Sequence, residues 1–186
     1  MRYEELAEDA QISEVQQLVS GILAQYGISA SSVENVNHSF NSSFKITDTK
    51  GEEYALRINL ASVKSNNEVL AEMQWLESLA LDGSVLAPVP LRTTNNELLV
   101  STTFKPLNKE TTAVLCKWIP GEEVGDEPTS EQLYGLGQNM ARLQIFAKSL
   151  SFKEPAYLPT INRTFMNTED NLSPNQPKEI NDRLYA

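Results

Sequence analysis

Cysteine and histidine, the side chains best suited to nucleophilic, redox or metal chemistry, occur once each in these 186 residues, at Cys116 and His38. One cysteine permits no intrachain disulfide and no cysteine-based zinc site, and one histidine permits no multi-histidine metal centre. No metal-ligand spacing surrounds His38, so it is read as a half-exposed strand residue without a catalytic role. What remains is polar and charged chemistry. The segment His38-Ser39-Phe40-Asn41-Ser42-Ser43 sets small residues in a row with N–H, hydroxyl and amide donors. Such a row can cradle an oxyanion, or it can be an ordinary polar hairpin turn. Arg57 lies between Leu56 and Ile58, and strand alternation turns it away from whichever side those two bury. Glu68 and Glu72 stand one helical turn apart on a shared face. Glu122, Glu123, Asp126 and Glu127 form an acidic cluster that suits either a cationic ligand or a solvated linker.

Composition narrows the partners. A formal net charge of −10 argues against a protein that tracks a nucleic-acid backbone and against one that binds an anionic membrane. No apolar run approaches the ~20 residues needed to span a bilayer. The opening MRYEELAEDAQ is acidic and has no apolar stretch of the kind a signal peptide carries. A cytoplasmic protein that touches neither nucleic acid nor membrane is expected. Hydrophobic residues make up 40% of the chain, enough to build a core.

Periodicity supplies the elements. Val15, Leu18, Val19, Ile22, Leu23 and Tyr26 follow the stripe of an amphipathic helix, with Ser13 as its expected cap, Gln16 as the capping-box partner and Gly27 as its stop. Strands are expected around Val33 and Val36, then through Phe44 and Ile46, then through Tyr54, Leu56 and Ile58, the last two joined by the turn Asp48-Thr49-Lys50-Gly51. A second helix follows, capped by Ser65 with Glu68 in the box, carrying Val69, Met73, Leu76 and Ala80 on one face and ending at Gly83. Ala87-Pro88-Val89-Pro90 is a stiff extended connector. Two more strands are expected to flank Asn95-Asn96 and to end in AVLCKWI before Pro120-Gly121. A third helix begins at Thr129, with Gln132 in a capping box. Beyond Ser151 the pattern fades into loop or tail, with a short helix near Glu179–Tyr185. Five mostly antiparallel strands with a helix inserted after the third make an α+β fold.

Four stretches, in this order and spacing, resemble the amino-terminal part of the aminoglycoside phosphotransferase, choline kinase and homoserine kinase family of small-molecule kinases. They are SFNSSFKITDTKGEEYALRIN, EMQWLESL followed by VLAPVPL, VLCKWIPGE, and LYGLGQNMARLQ. Together they cover residues 28–148. The resemblance implies a protein-kinase-like small lobe of five strands and a helix, a hinge, and an incomplete helical large lobe. The expected division is residues 1–27 as a helical segment, 28–120 as nucleotide-binding lobe and hinge, 121–150 as linker and first large-lobe helix, and 151–186 as irregular tail.

The resemblance also implies the activity and its residues. The activity would be ATP-dependent phosphoryl transfer to a small-molecule hydroxyl, with ATP and Mg²⁺ as cofactors. Arg57 takes the place of the strand cation that grips phosphates, and its carboxylate partner is Glu72 or Glu68, with Glu72 matching the family's spacing to Trp75-Leu76. Asn41, Ser42 and Ser43 would cover the phosphates, and the backbone of Lys117, Trp118 and Ile119 would read the base. Cys116 would back the base pocket or simply fill a central strand. Trp118 is expected to pack against the first large-lobe helix. The family's catalytic loop resembles H-G-D-L-H-x-x-N, and no His-x-Asp follows Gln144 here; Asp126, Asp170 and Asp182 stand in no matching motif, and Leu143-Gln144 replaces the family's Leu-His. The expectation is a chain that stops before its catalytic loop and metal ligands and is inactive alone. The alternative is a non-catalytic nucleotide-binding or partner-dependent module, a split-gene half needing a complementary large-lobe chain or a pseudokinase.

Overall fold

A computed structural model of the chain describes residues 2–60, 64–122 and 124–149. The tail read for 151–186, its short helix near Glu179–Tyr185, and Glu123 of the acidic cluster lie outside the described residues.

The amino-terminal stripe forms two helices where one was expected: α1, Glu8–Gln16, and α2, Val19–Gln25. The first begins after Ala7, and Ser13 sits exposed inside it. Glu8 and Asp9 favour that earlier start by placing negative charge at the helix's positive end. The Gln11 side chain adds bonds from its amide nitrogen to the carbonyls of Tyr3 and Leu6, at 3.2 and 3.1 Å. The apolar stripe itself is buried as expected, at Val15, Val19, Ile22, Leu23 and Tyr26. Gly27 closes α2 at φ +68°, a conformation strained for any residue with a Cβ.

Five strands follow in one sheet: β1, Ala30–His38; β2, Ser42–Asp48; β3, Glu53–Asn59; β4, Val100–Phe104; and β5, Lys109–Lys117. Their spatial order is β1-β2-β3-β5-β4, with every neighbouring pair antiparallel. The β2–β3 turn is held by Asp48, whose Oδ1 accepts the N–H of Lys50 at 2.8 Å and of Glu52 at 2.9 Å. Burial pushes this carboxyl up, but those bonds and the Tyr54 hydroxyl hold it below its ordinary value.

Helix α3, Asn66–Asp82, enters between β3 and β4. Its capping box is complete: the Ser65 hydroxyl accepts the Glu68 N–H, and the Glu68 carboxylate accepts the Ser65 N–H at 2.7 Å. Gly83 ends it at φ +70°.

The next strand pair differs from expectation. Asn95-Asn96 does form a turn, with Asn96 at φ +69°, but both strands follow it and their own turn is Lys105–Asn108. The segment before the turn makes only one bridge, Pro90 to Cys116, with bonds from Leu91 N–H to Leu115 O and from Lys117 N–H to Val89 O, each 2.8 Å. Pro88 and Pro90 lack the N–H a ladder requires, so the segment lies beside β5 without becoming a strand.

Alternation gives the sheet two different faces. Phe44, Ile46, Leu56, Ile58, Val100, Phe104, Ala113 and Leu115 pack against α1 and α2. Most of these side chains are fully buried, and each of the larger ones contributes ~1.5–3 kcal/mol by leaving water. On the other face α3 sets Val69 and Met73 against Val114, Cys116 and Leu98. Helix α4, Ser130–Ser149, starts from a second capping box, with Thr129 N–H donating to Gln132 Oε1 at 2.8 Å. It meets α3 through Phe146, buried with Leu79 and Ala87 and edge-on to Trp75 at 6.1 Å.

Candidate nucleotide site

The antiparallel register stacks residues of the α3-side face into rows. Ser43, Arg57 and Val114 are register neighbours, and two residues along so are Lys45, Ala55 and Cys116. One step further, Thr47 pairs with Glu53, and the Trp118 N–H donates to the Glu53 carbonyl at 3.1 Å. Helix α3 covers only part of this face: Ser43, Lys45, Ala55 and Arg57 stay partly open.

Arg57 and Glu72 meet at the edge of α3. Nη1 donates to Oε1 at 2.7 Å and Nη2 to Oε2 at 3.1 Å, a two-pronged pair with both side chains about three-quarters buried. The Lys64 ammonium adds a third bond to Oε2 at 3.0 Å. Burial drives the Glu72 carboxyl up, yet the two cations outweigh it and the group sits below its ordinary value. Arg57 Nε is buried without a hydrogen-bond partner among the described residues. Glu68, the other carboxylate considered from sequence, is occupied by Ser65 in the capping box.

The β1–β2 loop contributes differently from each position. Phe40 projects into solvent at its tip. Asn41 Oδ1 is buried with no partner among the described residues. Ser42 is fully buried, with its hydroxyl 2.6 Å from His38 Nδ1. Ser43 is half-buried in the Arg57 row.

At the other end of the rows lies the segment after β5. The Lys117 side chain lies on the far face, bonded to Glu52 Oε2 at 2.8 Å and stacked 4.7 Å from the Tyr54 ring centroid. The N–H groups of Lys117 and Trp118 are taken by Val89 and Glu53. The Ile119 N–H donates to nothing among the described residues. The Trp118 ring lies 5.0 Å from the Lys45 ammonium, which is itself paired with Glu53 Oε1 at 2.6 Å. A ring in contact with α4 is that of Trp75, which meets Phe146 edge-on. Cys116 is packed under α3, and burial pushes its thiol up to about 11.

Two site residues escaped the sequence reading. Lys45 was findable, because period-two alternation puts it on the face opposite Phe44 and Ile46. Lys64 had no signal, since its contact with Glu72 depends on how α3 docks. Among the described residues no group of three His, Cys, Asp or Glu side chains is placed to hold a metal ion, and no helix is long and apolar enough to cross a membrane.

Comparison with known proteins adds three findings. The sequence profile of the family described as "phosphotransferase enzyme family" matches residues 33–185. The amicoumacin kinase hAmiN, solved in complex with AMP-PNP, Ca²⁺ and Ami, superposes with a TM-score of 0.62 at 23% identity, over 81% of this chain and 46% of the kinase. A microcompartment-associated aminopropanol kinase gives a TM-score of 0.62 at 22% identity, over 82% of this chain and 45% of that protein. The chain thus spans less than half the length of either kinase, and the likeness at this identity establishes the α+β kinase-like fold alone. No curated protein matches the sequence.

Proposed function

The chain belongs to the phosphotransferase enzyme family, and we propose that its open sheet face binds the donor nucleotide for ATP-dependent phosphorylation of a small-molecule hydroxyl. The nucleotide lies along the rows, with phosphates at Ser43 and Arg57 and the base at Trp118 and Ile119. Two row steps cover ~13 Å at ~3.3 Å per residue, a span a purine nucleotide can bridge. Residues 28–120 form the nucleotide-binding lobe and hinge, 1–27 a helical addition on the back of the sheet, and 121–150 the linker and first helix of the second lobe.

The Arg57–Glu72 pair carries this reading. A guanidinium has five N–H donors in a plane. Glu72 takes two of them and fixes the plane, so the remaining Nη protons are presented to phosphate oxygens without an ordering cost at binding. Phosphoryl transfer depends mainly on such positioning and charge stabilisation. Of the three hinge residues proposed from sequence, Ile119 supplies the N–H for the base, because those of Lys117 and Trp118 are already used. At the phosphate end the Asn41 side chain can donate to a phosphate oxygen through its NH₂ group, not through Oδ1. Nothing in the nucleotide contacts proposed here depends on a metal ion. These 186 residues by themselves are expected to bind nucleotide without turnover, since no His-x-Asp follows Gln144 in them.

Titration with a fluorescent ATP analogue tests this. The wild-type chain should bind saturably and release the probe to unlabelled ATP. Arg57→Met should weaken binding at least about tenfold, the loss of charge-assisted bonds worth ~1.5–3 kcal/mol. Equal affinity of R57M and wild type, or no saturable binding by the wild type, would sink the proposal.

A further inference from the structure

His38 ends β1 and Ser42 begins β2, and the two are register partners across a three-residue loop. The loop is closed by a bond from the Ser39 N–H to the Asn41 carbonyl at 2.9 Å. The His38 ring bridges two elements: Nδ1 lies 2.6 Å from Ser42 Oγ, and Nε2 lies 3.1 Å from Gln11 Oε1 on α1.

The proton positions follow from what each partner can do. The Gln11 amide nitrogen donates to the carbonyls of Tyr3 and Leu6, so its NH₂ faces them and its Oε1 faces the histidine. A carbonyl oxygen only accepts, so the proton between Gln11 and His38 is on Nε2. In the neutral ring that tautomer leaves Nδ1 a bare acceptor, and the Ser42 hydroxyl donates to it. Ser42 is fully buried, so its only hydroxyl proton is committed to the ring.

We propose that His38 is a positioning residue that locks the β1–β2 loop by accepting the Ser42 hydroxyl proton, and that Ser42 serves the nucleotide through this lock and not as a direct phosphate donor. This inference rests on the nucleotide reading given above. Gln11, outside the residues 33–185 matched by the family profile, contributes by holding the ring proton on Nε2 and so leaving Nδ1 free to accept. The lock fixes the end of β1 and the start of β2, and so the placement of Asn41 and Ser43 between and beside them. Asn41 Oδ1 is held buried and unpartnered, a cost that a loop free to rearrange would relieve by turning the amide toward water.

Two replacements of similar polarity separate the lock from mere packing. His38→Asn keeps an acceptor bonded to Cγ, where the imidazole carries Nδ1, and so keeps the Ser42 bond. His38→Gln places its amide one carbon further out, where it reaches Gln11 but not Ser42. Affinity for the fluorescent ATP analogue and amide hydrogen exchange at residues 39–43 are measured for both variants, for His38→Ala and for the wild-type chain. The expected result is a loss of about fivefold in affinity for H38Q and H38A, the worth of one hydrogen bond. H38N should stay within about twofold, and loop exchange should accelerate in H38Q and H38A only. Indistinguishable affinities for H38N, H38Q and H38A overturn the proposal, as does loss in H38N equal to that in H38A. If the wild-type chain binds no nucleotide, the nucleotide reading falls, and the exchange data alone decide the lock: acceleration confined to H38Q and H38A upholds it, and any other pattern overturns it.

Discussion

Replacing Glu72 by glutamine keeps the side chain's shape and removes its charge, which isolates what the central ion pair contributes. In the wild-type chain the carboxylate receives Arg57 at 2.7 and 3.1 Å and Lys64 at 3.0 Å. The Arg57 and Glu72 side chains are 28% and 24% exposed, which places the pair between two known regimes. Exposed pairs contribute ~0–1 kcal/mol, and removing one partner of a buried pair costs ~3–5 kcal/mol. E72Q should therefore lower the unfolding free energy by about 2 kcal/mol, or about 6 °C in Tm for a unit of this size. The pH dependence has a fixed sign. The Glu72 carboxyl lies below its ordinary value of 4.5 in the folded chain, because Arg57 and Lys64 outweigh the burial that pushes it up. A carboxyl lowered by folding stabilises fully above its unfolded pKa and loses that stabilisation as pH falls through the folded value. The gap between wild type and E72Q should be complete at neutral pH and close as the solution is acidified below that ordinary value. Urea melts followed by circular dichroism at about pH 7 and about pH 3 would measure both limits. A gap below ~0.5 kcal/mol at neutral pH would place the pair among exposed ones, and a gap unchanged in acid would refute the assignment to the charged carboxylate.

Three further outcomes are expected. Phe146→Ala should cost ~3 kcal/mol and loosen α4, seen as a red shift of Trp75 emission and faster amide exchange along α4; unchanged exchange would mean that α4 is held elsewhere. Cys116 is buried, and its thiol is raised to about 11 chiefly by that burial; a thiol reagent at neutral pH should react only after denaturant is added, and prompt labelling of the native chain would contradict this. Ser65→Ala should cost ~1 kcal/mol, and combining it with Glu68→Ala should add little, because both remove the same capping box; additive losses in the double variant would show that the two residues act separately.

Much of the framework was legible because it is local. The burial of Phe44 and Ile46 opposite Tyr54, Leu56 and Ile58 follows from period-two alternation around a turn whose Asp48 and Gly51 specify it. The caps of α3 and α4 were readable because Ser65-x-x-Glu68 and Thr129-x-x-Gln132 each complete within four residues. Where reading failed, a nonlocal partner decided. Ser13 has the chemistry of a cap, but the helix starts at Glu8 because Gln11 and the acidic first turn support residues before it. The strands expected on both sides of Asn95-Asn96 failed on the first side, where two prolines leave too few N–H donors for a ladder.

The charged pair illustrates the same division within the candidate site. Alternation determined that Arg57 faces away from Leu56 and Ile58, and the capping box already gave Glu68 a partner. Sequence alone could not tell whether the helix carrying Glu72 docks at the height of Arg57, because that depends on Val69 and Met73 packing on Val114 and Cys116 some 45 residues away in the chain. Nor could it tell that His38 would reach Gln11, that Trp75 would meet α4 through Phe146, or that the N–H groups of Lys117 and Trp118 would be taken by Val89 and Glu53. Side-chain periodicity and caps act over a few residues and are written into the order of the chain. Contacts between faces exist only once the sheet has fixed which residues stand in the same row, and that is a property of the tertiary structure.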